Sequence, residues 1–213
     1  MLRTEFIPAR KRDSKNFLIV LHGLGDSSAG YQWLPEAMNL DWMNYLLVNA
    51  PDPYFNGFSW YDYAGVPGPT IIRSRNLLFN LLDSQRKSGI PTENTTLFGF
   101  SQGCLMTMEV GLRYPHRLAG LVGISGYVFE PTKALTELSP VAKQQRFLVT
   151  HGLMDPIIPF PKAKAHFDEL KAGGINISWH EFRKEHTIAG EAEMSVIREF
   201  VKEGYPDTAT AGK

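Results

Sequence analysis

The sequence is short of cysteine, of net charge and of long apolar runs, and each shortage excludes something. Among its 213 residues Cys104 is the one thiol, so no intramolecular disulfide can form, which favours a reducing, cytoplasmic setting. Basic and acidic side chains number 22 each, leaving no net field to attract nucleic acid or an anionic membrane. No apolar run approaches the roughly 20 residues that span a bilayer, and the first residues do not read as a signal peptide, so no stable membrane insertion is expected. Internal repeats and linker-like segments are missing too. A chain of this length suits one well-buried domain.

What the sequence does have is a serine set between two glycines. Gly99-Phe100-Ser101-Gln102-Gly103 follows a β-prone run, Thr95-Thr96-Leu97-Phe98, and precedes a helical pattern carrying Leu105, Met106, Met108 and Leu112 that ends at Tyr114-Pro115. Strand, tight turn and helix in that order present a hydroxyl above a sheet edge, and the turn is sharp enough to demand small neighbours. The same turn sets Ser101 at the start of a helix, where free N–H groups favour a developing oxyanion. A serine hydroxyl is a nucleophile only with a base, and the base needs an orienting acid.

Along the rest of the chain, apolar runs of strand length alternate with helical patterns. After a basic turn at Arg10-Lys11-Arg12, the run Asn16-Phe17-Leu18-Ile19-Val20-Leu21 reads as a strand buried on both faces. It ends in His22-Gly23-Leu24-Gly25-Asp26, whose glycines let the chain turn and leave the Leu24 N–H free as a second oxyanion donor. A helix is predicted over 29–39 and a strand over 45–50. The stretch 51–69 reads as a long irregular loop rich in aromatics (Tyr54, Phe55, Phe58, Trp60, Tyr61, Tyr63), suited either to a pocket wall or to capping the core. A helix over 70–87 carries Ile71, Leu78, Leu81 and Leu82 on one face and breaks at Gly89-Ile90-Pro91. Further strands are predicted over 118–126, 146–150 and 176–182, with helices over 160–172 and 189–203; the small polar tail over 207–213 is expected to fray. This alternation calls for an α/β fold, a mostly parallel sheet with helices on both faces.

Six histidines compete for the role of base. His22 and His151 precede glycines at strand ends, where a ring commonly serves the neighbouring loop; His116 follows Pro115 at a helix end and His166 lies within a helix, both suited to the surface, and His180 lies within a strand. His186 alone lies on a loop beyond the last strand, where ligands bind in open parallel sheets. For the acid, Asp155 sits just past a strand in a turn stiffened by Pro156 and Pro159, while Asp26, Asp52 and Asp62 are rivals equally suited to turns or caps. The order Ser101, Asp155, His186 is the serine, acid, histidine order of α/β-hydrolases.

His22-Gly23-Leu24-Gly25-Asp26, Ser59-Trp60-Tyr61-Asp62, Gly99-Phe100-Ser101-Gln102-Gly103, His151-Gly152 with Asp155 and Ile157-Ile158-Pro159, and His186 span nearly the whole chain. Together they resemble the phospholipase/carboxylesterase family of α/β-hydrolases, which includes bacterial carboxylesterases, lysophospholipases and acyl-protein thioesterases. The resemblance implies a single α/β-hydrolase domain over 1–213. It also implies Ser101 as nucleophile, Asp155 as acid, His186 as base, and the backbone N–H groups of Leu24 and Gln102 as oxyanion hole. Two departures touch local packing: Cys104 stands where relatives usually carry a second glycine, and Glu185 where they usually have a small residue.

The chemistry implied is acyl transfer to water through an acyl-enzyme, with no metal or organic cofactor, on a small-molecule ester or thioester, by a monomer or homodimer. Phe55, Phe58, Trp60, Leu24, Ile71, Ile158 and Phe160 lie beside motifs that converge on Ser101, and none is charged. The acyl site is therefore expected to be apolar and moderately deep, suited to short to medium chains. A channel for long acyl chains, as acyl-protein thioesterases need, is the alternative. A dienelactone-hydrolase-like lactonase is disfavoured because such enzymes carry cysteine at the elbow. A hydrolase-fold binding protein without turnover is disfavoured because it would normally have lost a triad member.

Overall fold

The computed structural model describes residues 1–205, so the tail over 207–213 lies outside the described residues. A sheet of seven strands forms the frame: β1 (Thr4–Ile7), β2 (Asn16–Leu21), β3 (Met43–Val48), then, after a small hairpin of β4 (Asp52–Tyr54) and β5 (Gly57–Ser59), β6 (Thr95–Phe100), β7 (Gly120–Ile124), β8 (Phe147–Gly152) and β9 (Ile177–Phe182). The order across the sheet is β1-β3-β2-β6-β7-β8-β9. Only β1 runs antiparallel to its neighbour; the other pairings in this sheet are parallel.

The apolar runs form strands because they are buried on both faces, and side chains alternate between them. From β2, Ile19 and Leu21 enter one core layer while Leu18 and Val20 enter the other. The first layer is closed by α2 (Pro67–Lys87), α3 (Gln102–Arg113), α4 (Pro131–Thr136) and α5 (Phe160–Ala172), through residues such as Leu78, Leu105, Ala134 and Phe167. The second is closed by α1 (Leu34–Met38) and α6 (Gly190–Glu203), through Leu34, Met38, Met194 and Ile197. Fully burying one such side chain stabilises the fold by about 1.5–3 kcal/mol.

Three segments differ from their sequence-based outlines. The expected helix over 29–39 is a 3-10 turn, Ser28–Tyr31, followed by α1, because Pro35 fits only the first turn of a helix and Asn39 closes it with a left-handed φ of 45°. The expected irregular loop over 51–69 holds the β4–β5 hairpin and the start of α2, where Pro67 takes the first helical position. The connection between β7 and β8 contains α4. Among the described residues, no helix is long and apolar enough to cross a membrane.

Candidate active site

Because β2 and β6 to β9 are parallel, the segments leaving them gather at one edge of the sheet. There Leu24 follows β2, Ser101 follows β6, Tyr127 follows β7, Asp155 follows β8 and His186 follows β9.

Ser101 occupies φ 54°, ψ −113°, a conformation that costs a residue with a Cβ on the order of 1–3 kcal/mol. Close packing holds it there. A Cβ on Gly99 would lie 2.1 Å from the Gly103 carbonyl oxygen, and one on Gly103 would lie 2.0 Å from that of Leu21. The two glycines are thus required by the approach of α3 to the strands. The Ser101 N–H donates to the Ile124 carbonyl at 2.9 Å, tying the turn to β7.

His186 bridges Ser101 and Asp155. Its Nε2 lies 2.9 Å from Ser101 Oγ and its Nδ1 lies 2.8 Å from Asp155 Oδ2. The other oxygen, Oδ1, accepts from the Ile157 and Ile158 N–H groups, both at 2.9 Å. Burial opposes ionisation of Asp155, but the Ile158 N–H, His186 and the Ile157 N–H together outweigh it and hold the carboxyl below the usual range. A negative Asp155 fixes the Nδ1–H tautomer, leaving Nε2 free to accept the serine proton.

A buried ion pair anchors the loop carrying His186. Lys184 Nζ meets Glu193 Oε1 at 2.5 Å, and Glu193 Oε2 accepts the Ala189 N–H at 2.5 Å. Both side chains are almost fully enclosed, so Glu193 of α6 holds the loop from both sides of His186. The Met154 N–H donates to the Lys184 carbonyl at 3.1 Å, joining this loop to the one bearing Asp155.

The rival residues are engaged elsewhere. His22 Nε2 accepts the Ala50 N–H, so its Nδ1 carries the proton and donates to the Gly23 carbonyl at 2.6 Å. His151 is fully buried, stacks on Trp179 and directs Nε2 to the Ile158 carbonyl at 2.9 Å. Burial lowers the pKa of both rings, keeping them neutral. Asp26 accepts from the Ser27 N–H, Asp52 pairs with Arg73, and Asp62 closes a turn through the Ala64 and Gly65 N–H groups.

Leu24, Gln102 and Ser101 line the same cavity, of about 480 Å³. The Leu24 and Gln102 backbone N–H groups have no acceptor among the described residues, which leaves both for a ligand oxygen. The Gln102 side chain has a separate task that its motif does not announce. Its Oε1 accepts from the Trp60 N–H and Ser59 Oγ, and its Nε2 donates to the Tyr61 carbonyl, stapling the elbow to the aromatic loop.

Of the side chains expected to wall the acyl site, Ile158 and Leu24 line the cavity and the others do not. Trp60 is fully buried, with its Nε1–H on the His22 carbonyl at 2.9 Å, so it buttresses the loop bearing Leu24. Ile71 is sealed in the core, and Phe58 packs on that core from the β4–β5 hairpin. Phe160 turns toward His151 and Trp179, and Phe55 is 91% exposed at the hairpin tip, where φ is 49°. In their place stand Tyr61, Tyr63, Phe100, Tyr127, Ile157, Pro159 and Lys162. Tyr127 follows a strand just as the other site residues do, which is the signal that points to it; Lys162 resembles an ordinary surface lysine in sequence.

The two departures are accommodated without touching the site. Cys104 fills space left by Gly123 and Gly126, where any Cβ would meet its sulfur at 2.6 Å and 2.4 Å. Burial pushes its thiol up to about 12, so it stays protonated. Glu185 points to solvent.

A model of the phospholipase/carboxylesterase family matches residues 2–204. Acyl-protein thioesterase 1 of Schizosaccharomyces pombe is 37% identical over 155 residues, 67% of this chain and 69% of that protein. Its counterpart in Yarrowia lipolytica is 30% identical over 218 residues, 92% of this chain and 95% of that one. The crystal structure of a phospholipase/carboxylesterase from Dyadobacter fermentans superposes with a TM-score of 0.77 at 25% identity, covering 94% of this chain and 95% of the other. The seven-stranded, mostly parallel sheet flanked by helices is thus the α/β-hydrolase fold.

Proposed function

Because the chain belongs to the phospholipase/carboxylesterase family of α/β-hydrolases, we propose that it is a serine hydrolase cleaving carboxylic esters and thioesters of short to medium acyl chains. The observation that carries the reading is the unbroken line Ser101 Oγ, His186 Nε2, His186 Nδ1, Asp155 Oδ2, with contacts of 2.9 and 2.8 Å. His186 takes the Ser101 proton as Oγ attacks the acyl carbonyl. The new oxyanion turns to the Leu24 and Gln102 amides, and Asp155 stabilises the imidazolium. The Nε2 proton then passes to the departing oxygen or sulfur, and an acyl-serine remains. Water, deprotonated by the same imidazole, attacks that ester, and the proton returns to Ser101.

Thioesters fall within the same chemistry, because the attacked carbonyl is alike and a thiolate leaves with less help from the acid. The relatives named acyl-protein thioesterase 1 favour including them. The same reading takes the enzyme to be cytoplasmic and its substrate to be a small molecule. The test is a fluorophosphonate probe with mass analysis, run beside hydrolysis of an aryl butyrate. Label on Ser101 together with turnover is expected. A folded protein that neither hydrolyses the ester nor takes the probe at Ser101 would overturn the assignment.

A further inference from the structure

The lining of the cavity contradicts the expectation of an uncharged acyl site, and the contradiction has a direction. Lys162, in the first turn of α5, lines the cavity beside Ile158 and Pro159. Among the described residues no carboxylate pairs with it, and its ammonium lies 5.8 Å from the centroid of the Tyr127 ring. Tyr127 and Tyr61 face the same space with their hydroxyls 3.1 Å apart. Two phenols carry two protons and share one hydrogen bond, so one O–H is left over. No second acceptor for it exists among the described residues. A cation without a counter-ion and a donor without an acceptor therefore line one cavity with the nucleophile.

The mechanism decides which part of the substrate meets them. His186 must protonate the leaving group, so that group lies on the imidazole side. A second cavity of about 440 Å³ opens there, sharing Asp26, Phe100 and His186 with the first and walled by Trp33, Ile188 and Met194. Asp26, the other charged residue lining the main cavity, belongs to this shared side, and Lys162 does not. With the leaving group toward Asp26, the acyl chain extends toward Tyr61, Tyr127 and Lys162.

We infer that the preferred acyl group ends in a carboxylate held by Lys162 and the Tyr61–Tyr127 pair, which makes the substrate class the half-esters or half-thioesters of short dicarboxylic acids. The inference rests on Ser101 acting as the nucleophile. Hydrolysis would release the dicarboxylate and the alcohol or thiol, consuming one water. A carboxylate docks better than a neutral acceptor because it meets the ammonium and accepts a hydrogen bond from the spare phenolic O–H at once.

The experiment compares kcat/KM for 4-methylumbelliferyl hemiglutarate and hemiadipate with the pentanoate and hexanoate of equal chain length, after subtracting spontaneous hydrolysis. Glutarate and adipate avoid the rapid self-cleavage of aryl hemisuccinates. The wild-type ratio of acidic to neutral ester is expected to exceed one. Lys162→Met should lower that ratio about five- to tenfold, the scale of one partly solvated ion pair, and Lys162→Glu should lower it further. Tyr61→Phe/Tyr127→Phe, which removes both phenolic donors, should lower it too. Lys164→Met, which removes a lysine of the same helix that pairs with Asp168, should leave it alone. A wild-type ratio below one that neither Lys162 variant changes would overturn the inference. So would a Lys162 dependence seen only with an acetate ester of a carboxylated phenol, which would put the anion on the leaving group. A wild-type enzyme inert toward all of these esters and toward the fluorophosphonate would instead bring down the serine-hydrolase reading beneath it.

Discussion

Ser101 and His186 share a hydrogen bond, yet the protein holds them by different means. The serine turn emerges from β6, in the middle of the sheet, and passes into a helix buried along almost its whole length. Its position is set by backbone packed on backbone, with Gly99 and Gly103 leaving no room to drift. The histidine loop leaves β9, an edge strand exposed at two positions, and adds side-chain tethers to its backbone contacts with Gly152 and Met154: Lys184 on Glu193, and Glu193 on the Ala189 N–H. A turn held by backbone contacts, as at Ser101, tolerates most side-chain change around it. The His186 loop, in which a buried ion pair supplements a few backbone contacts, leans more heavily on that pair.

The largest effect expected on the elbow side is chemical. Ser101→Ala should lower turnover about a millionfold while thermal unfolding stays close to wild type, because only the reacting oxygen is lost. Single-turnover assays beside calorimetry would check both halves. More than a few per cent of activity in a contamination-free preparation would end the nucleophile assignment.

On the loop side, Asp155→Asn should cost on the order of ten thousandfold by favouring the wrong imidazole tautomer, with Asp26→Asn costing far less. Equal losses in two folded variants would erase the distinction between the acids.

Lys184→Met removes the tether of the histidine loop. It strands the Glu193 carboxylate in a buried site, at a cost of about 3–5 kcal/mol, and should depress kcat as the loop loosens. The double variant Lys184→Met/Glu193→Leu should recover much of the stability, since no charge is then left buried, but not all of the kcat, since the Ala189 N–H loses its acceptor. If denaturant melts and kcat are both unchanged in the single variant, the ion pair does not hold the loop.

A smaller loss belongs to Trp60→Phe. Removing the Nε1–H leaves the buried His22 carbonyl unpaired, costing about 1–3 kcal/mol, and relaxes the loop bearing Leu24. The variant should lose kcat without a change in preferred acyl length, whereas a wall residue would shift that preference.

The mildest effect is pH dependence from Asp155. Its native pKa lies below the unfolded value, so its stabilisation is complete above the ordinary aspartate range and is lost as pH falls through the native value. The difference in melting temperature between wild type and Asp155→Asn should therefore be constant near neutrality and shrink below about pH 4. A constant difference down to pH 2 would show that the carboxylate contributes nothing through its charge.

The frame and the meeting of Ser101, Asp155 and His186 could be read in the chain because their signals are local. Strands buried on both faces write themselves as continuous apolar runs, and the elbow occupies five consecutive residues, Gly99 to Gly103. Once the strands are parallel, the residues that follow them must meet at one edge, which is why Ser101, Asp155 and His186 could be grouped in advance. Aromatic content alone did not say which way a ring would turn: Trp60 is fully buried and Phe55 is 91% exposed, although both occupy the same loop. That outcome depends on partners far along the chain, such as the His22 carbonyl that receives the Trp60 N–H and the Gln102 side chain that receives the backbone of the loop.

The alternating α/β frame and the sharp turn that presents Ser101 were written locally in the chain, because hydrophobic period and glycine placement act through neighbours within a few residues. The lining of the cavity and the anchoring of the His186 loop arose only from the packing of distant segments. Lys162 and Lys184 are both lysines in charged, unremarkable stretches, and only the packing of α5 against the site and of α6 against the loop makes one a cation lining the cavity that holds Ser101 and the other a buried tether. A charge takes its role from what surrounds it, and those surroundings exist only after the chain has folded.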